Sequence, residues 1–199
     1  MKINLSATLL FIALSVNCNV LGQTSTDQIS DNFISYLNTL DNKDFEKSIE
    51  YLPIELFEFV PKKQMLSVFE EIFNNPEIII SYKNPKILEI QGPFEYQKKS
   101  YALIEYEATL KMKFEFGIEI ESKEEKKDRL ILQINNIKQL FGDDVVSFDW
   151  DTETFSIYEK KNAYAILYND DPEWNFLVLD ESSQQLLSKI IPTVILNRK

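Results

Sequence analysis

The chain has 199 residues, 44% hydrophobic and 13% aromatic, with 21 basic against 32 acidic side chains, a formal charge of −11 and one cysteine. That balance describes a globular domain and excludes a disordered chain, a collagen repeat, a disulfide scaffold and a polytopic membrane protein. Histidine is absent, which removes the triads with a histidine base, the His-ligated zinc enzymes and the usual near-neutral proton switch.

At the start, Lys2 precedes an apolar run over residues 9–16, followed by a short polar stretch ending in Val20, Leu21 and Gly22. This order of charge, apolar core and small residue is that of a secretory signal, with cleavage expected after Gly22. The run is shorter than the roughly 20 residues a membrane-spanning helix needs, so no transmembrane segment is expected in the mature chain. Cys18 leaves an alternative, a lipoprotein anchored at that residue, although Asn17 before it is larger than such cleavage sites favour. Removal of residues 1–22 leaves no cysteine and a net charge of −12. A chain this acidic, without a long basic run, is repelled by phosphate backbones, and no nucleic-acid partner is expected.

The mature chain carries no Pro, Gly or Ser-rich linker and no fixed-period repeat, which predicts one α+β domain over residues 23–199. Ile29, Phe33, Leu37 and Leu40 fall on one helical face, with Ser25 and Gln28 at capping-box spacing. A short second helix is expected after Asp41 or Asn42, carrying Phe45 and Ile49 and stopping at Pro53. Pro61 opens a third, with Met65, Phe69 and Ile72 inward, ending before Asn75 and Pro76.

The period then changes. β-Rich runs at 77–82 and 87–91 flank a Lys83-Asn84-Pro85 turn. From Ala102 to Ile120 every second residue is apolar, as in a sheet with one buried and one wet face. A straight strand of that length would span about 60 Å, more than a compact domain of this size, so a bend is expected, with Gly117 the most permissive position. Helical spacing returns over 128–141, with Leu130, Ile134, Ile137 and Phe141 inward, Asp128 near the cap and Gly142 past the end; a strand over 130–134 is the competing assignment. Strands are expected at 145–149, 154–158, 163–168 and 174–179 as an antiparallel meander. Asp180 or Ser182 then caps a last helix carrying Leu186, Leu187 and Ile190, broken at Pro192. The fold class expected is a curved antiparallel sheet with N-terminal, mid-chain and C-terminal helices packed on it.

Nucleotide, hydrolase and zinc fingerprints are all missing, and no cofactor is expected. Asp149, Asp151 and Glu153 alternate as DxDxE and are the candidate metal ligands, since calcium needs several converging carboxylate oxygens; a solvated hairpin turn between the Phe148 and Phe155 strands is the simpler reading. The Asn169-Asp170-Asp171-Pro172-Glu173 run reads as a turn. Glu105 and Glu107, on the wet face of the long strand with Lys111 and Lys113, suit cross-strand ion pairs, or a catalytic base if that face lined a cavity. Trp150, Trp174, Tyr164 and Tyr168 could form an aromatic platform, while Trp174, Phe176 and Val178 at alternate positions suit the inward face of a strand.

The N-terminal helices, the long bent strand and the Ala163-Tyr164-Ala165-Ile166 and Trp174-Asn175-Phe176-Leu177 hairpin together resemble the NTF2-like, or SnoaL-like, superfamily. In that superfamily a curved sheet wraps helices into a cone. The resemblance implies a pocket or a homodimer face. The Asp and His pair often used by its enzymes has no counterpart here, because the chain has no histidine. The functional expectation is an exported, secreted or periplasmic, non-catalytic binding domain for a protein or small-molecule ligand. The alternatives are a carboxylate-dependent enzyme and a calcium-dependent envelope module.

Overall fold

The computed structural model describes residues 20–115, 122–179 and 184–198. Most of the expected export segment with Cys18, residues 116–120 with Gly117, and the capping candidates Asp180 and Ser182 lie outside them. The fold is α+β, an open, curved, five-stranded antiparallel sheet with helices packed on it.

Helix α1 spans Val20–Asp41, so Ser25 lies within the helix instead of capping it. Its apolar stripe, Ile29, Phe33, Leu37 and Leu40 with Tyr36, is buried as the spacing requires. The positive-φ Lys43 reverses the chain, and Asp44 caps α2, Phe45–Glu50, by accepting from the Lys47 N–H. A 3₁₀ turn follows at Ile54–Glu58 and α3 at Lys62–Phe73, directly after Pro61. The inward face of α3 is rotated from the expected one: Phe73 is buried against Phe45, whereas Ile72 is 45% exposed.

Strand β1, Ile78–Tyr96, is continuous where a turn at Lys83-Asn84-Pro85 was expected. Asn84 takes a left-handed φ of 54° and the register with β2 shifts between Lys83 and Lys86, again between Ile87 and Glu89 and between Gln91 and Phe94. The turn-forming residues thus become bulges that bend an edge strand without ending it. At Gly92, φ is 114° and a Cβ would stand 2.9 Å from the Tyr101 carbonyl oxygen, so only glycine fits. Gln97 and Lys98, both with positive φ, close a two-residue hairpin into β2, Lys99–Phe114. Ala102, Ile104, Tyr106, Ala108 and Leu110 are buried in strict alternation.

Ser122 and Glu125 form a reciprocal capping box that starts α4, Lys123–Phe141. The helix therefore begins earlier than Asp128, the strand alternative over 130–134 does not occur, and Phe141 is 39% exposed at its end. Strands β3, Val146–Asp149, β4, Thr154–Tyr168, and β5, Asn175–Leu179, complete the sheet. β4 is one strand where two were expected. Its other edge is shared end to end: β3 pairs with residues 154–157 and β5 with residues 162–166. Helices α5, Gln184–Ile190, and α6, Thr193–Leu196, follow.

α1 crosses one face of the sheet. Near its start the Gln28 amide donates to the Pro172 carbonyl and Asn32 Oδ1 accepts the Trp174 N–H. At mid-helix the Phe33 ring meets Tyr106 and Phe176 at 4.9 and 5.1 Å. At its end Asp41 accepts the Tyr82 N–H and pairs with Lys83. α4 covers the same face farther along, where Ile137 packs with Leu110, Val146, Phe155 and Ile157. Among the described residues the opposite face is covered only toward the hairpin, where Tyr101, Tyr164, Ile166 and Leu177 are buried in one cluster with Leu187, Ile190, Ile191 and Ile195. Among the described residues no helix is long and apolar enough to cross a membrane.

Candidate functional site

After α2 the chain passes the free edge of β5, where the Tyr51 carbonyl accepts the Phe176 N–H at 2.6 Å. The 3₁₀ turn is thereby set against the covered end of the sheet. There Lys99 and Tyr168 face each other across the β2–β4 register. Glu55 of the turn engages both: Lys99 Nζ donates to Oε1 and the Tyr168 hydroxyl to Oε2. The Lys99 ammonium also lies over the Tyr168 ring, 4.8 Å from its centre. The two side chains of the ion pair are 23% and 29% exposed, so the network is largely withdrawn from water.

Burial by itself would raise the Glu55 carboxyl. The hydrogen bonds from Lys99 and Tyr168, with the Lys99 charge, outweigh it and hold the group below its ordinary range. Burial first, and then the bond to Glu55, push the Tyr168 phenol well above the ordinary tyrosine range. At neutral pH the carboxylate is ionised and the phenol protonated. Each group satisfies its neighbours, and a set arranged in this way positions and binds more readily than it transfers protons.

Two depressions flank the network. One, of about 270 Å³, has Ile49, Leu52, Ile54 and Phe57 with the Tyr168 ring as its apolar lining and Glu50, Lys62, Asp171 and Asn175 as its polar groups. Asn175 is buried, at 6% exposure, whereas Ile54 stands 67% exposed. The other, of about 410 Å³, is polar and lies at the hairpin tip between Tyr96, Lys98, Lys99, Ser100 and Asn169. A further depression of about 330 Å³ lies under α4 between Ile78, Phe114, Gln133 and Ile137. The first combines an apolar floor, convergent polar groups and perturbed titrating neighbours, the features that distinguish ligand sites.

The sequence-derived candidates lie elsewhere. Asp149 Oδ1 accepts the N–H groups of Asp151 and Thr152, and these turn bonds hold its carboxyl below the ordinary range. Glu153 pairs with Lys126. Among the described residues no three acidic or thiol side chains gather as a metal would need. On the wet face Glu105 pairs with Lys160, and Glu107 pairs with Lys86 and accepts from the Tyr158 hydroxyl. The cross-strand partners are therefore on β4 and β1, and not Lys111 or Lys113. Glu107 is held low, first by the Tyr158 bond, the opposite of what a base would need. The aromatic platform does not form, because Trp174 is 1% and Trp150 52% exposed; Trp174 and Phe176 point into the core as the alternation implied.

Two features escaped sequence reasoning. Glu55 stands in an unremarkable Pro-Ile-Glu-Leu stretch, and only the passage along β5 brings it to Lys99 and Tyr168. Glu159 and Lys161 occupy the α1-facing side of β4, opposite Ala108 and Tyr106, and pair at 2.9 Å with the Glu159 side chain only 10% exposed. The signal for the second was available, as charges within an otherwise apolar alternation of Phe155, Ile157, Ala163 and Ala165.

Compared with known proteins, the chain matches no family model and no curated protein.

Proposed function

We propose that the mature chain is an exported, non-catalytic binding domain whose ligand occupies the depression between the 3₁₀ turn, the end of β4 and the start of β5. The observation that carries this reading is the Glu55, Lys99 and Tyr168 network beside a pocket of about 270 Å³ with an apolar floor. A locked network of this kind keeps the walls of a binding site in place, so less ordering entropy is lost when a ligand enters. Its carboxylate oxygens and phenol proton are already engaged, which favours binding over catalysis. The likeness to NTF2-like cones, which implies a pocket, agrees with a binding role. The export signal at residues 1–22 supports a place outside the cytoplasm.

The test is chemical-shift mapping of the full mature chain against a library of small fragments. Hits should perturb Leu52, Phe57, Tyr168 and Asn175, and should vanish in Ile54→Trp, a substitution at an exposed position that fills the mouth without disturbing the core. Hits that map only to other surfaces, or that persist unchanged in Ile54→Trp, would reject this site.

A further inference from the structure

The ligand's charge can be read from what surrounds the pocket; this step rests on the binding reading above. Glu50 and Asp171 contribute carboxylates to the lining and Lys62 the single cation. The Lys62 ammonium lies over the Phe57 ring, 4.9 Å from its centre, and keeps its charge, so the lining sets two carboxylates against one cation. Glu55 is neutralised by Lys99, so the network leaves the sign of the local field to the rim.

That rim is acidic beyond the lining residues. The bonds from Gln28 to Pro172 and from Trp174 to Asn32 hold the first half of α1 against the β4–β5 turn. The turn they anchor carries Asp170 and Glu173 close to Asp171 in the chain. Carboxylates around a low-dielectric depression raise the local concentration of cations and repel anions. The Phe57 and Tyr168 rings are already engaged by Lys62 and Lys99, so they supply apolar area while the carboxylates set the charge preference. The floor of Ile49, Leu52 and Phe57 has no hydrogen-bonding side chain and requires an apolar body.

We infer that the pocket takes a small organic cation, an ammonium group carried on a short aliphatic or aromatic body. The body rests on Leu52 and Phe57 and the ammonium is directed toward Glu50 and Asp171.

Three probes of nearly one shape separate the possibilities by isothermal titration at neutral pH and low salt: phenethylammonium, the neutral 2-phenylethanol and the anionic 3-phenylpropanoate. The cation should bind about five- to tenfold more tightly than the alcohol, with the anion weakest, and added salt should narrow the gap. The double variant Glu50→Gln, Asp171→Asn should lose that preference and keep its affinity for the alcohol. Asparagine retains the Oδ1 acceptor that Asp171 offers to the Glu173 N–H, so the turn survives the change. Equal binding of amine and alcohol, preference for the anion, or an undiminished preference in the double variant would each overturn the cationic assignment and leave the pocket standing. If none of the three probes binds, the pocket reading falls, and this inference with it.

Discussion

Glu55 accepts two side-chain donors, and its acid behaviour follows from them. Its folded-state carboxyl titrates below the ordinary value of 4.5. The stability it contributes is therefore complete above that value and is lost as pH falls through the folded one. Glu55→Gln should lower stability by about 1–2 kcal/mol at neutral pH. The variant should also lose less stability than the parent on acidification below about pH 4.5, so that the two melting temperatures converge. Melting curves across that interval check this, and parallel pH profiles would show that the carboxylate contributes nothing. None of it was legible in the sequence. Glu55, Lys99 and Tyr168 are separated by 44 and 69 positions, and no local pattern links them.

At the scale of elements, β4 shows where pattern reading succeeds and where it fails. The Glu159-Lys160-Lys161-Asn162 stretch has the composition of a turn, which is why two strands were expected. The structure runs one strand through it because β2 supplies an unbroken template, pairing every residue from Lys99 to Lys113. The cost is a charged pair on the covered face, and a charge buried there needs its partner. Glu159→Ala should destabilise the fold by about 2–3 kcal/mol, whereas the joint change Glu159→Leu, Lys161→Met should restore most of the loss, as measured by denaturant unfolding. An additive penalty in the double variant would mean that the pair is not coupled. By contrast, the alternation over Ala102 to Leu110 was readable directly, since one face meets α1 and the other does not. The lysine, asparagine and proline in β1 misled for the same reason as β4: turn chemistry also builds bulges, and only the partner strand distinguishes the two.

Across the whole molecule, two apolar clusters meet on the α1 face of the sheet, where Ile80 and Tyr82 belong to the margin of both. Tyr82 lies at that margin, and Tyr36 and Tyr106 lie within the larger cluster. Burial raises all three; the Glu159 charge adds to the effect at Tyr82, pushed up to about 12, and at Tyr106. A phenol raised in the folded state contributes stability that is complete below its unfolded value near 10 and is lost as pH rises through the folded one. The protein should therefore unfold cooperatively in alkali between about pH 10 and 12, with phenolate absorbance from these residues appearing only together with loss of far-ultraviolet dichroism. Gradual ionisation before unfolding would show that water reaches these rings in the native state.

What the sequence determined by itself was the class of fold, the helical stripe of α1, the alternation of β2 and the chemistries ruled out by the missing histidine. Each of these depends on periodicity or composition, which act locally or over the whole chain. Tertiary structure alone decided the continuity of β1 and β4, the burial of Glu159 beside Lys161, and the meeting of Glu55 with Lys99 and Tyr168. Those outcomes rest on pairing between distant segments, where a strand's partner converts a turn into a bulge and a charge into half of a partly buried pair. The candidate site belongs to this second group, because its walls come from parts of the chain that only the sheet brings together.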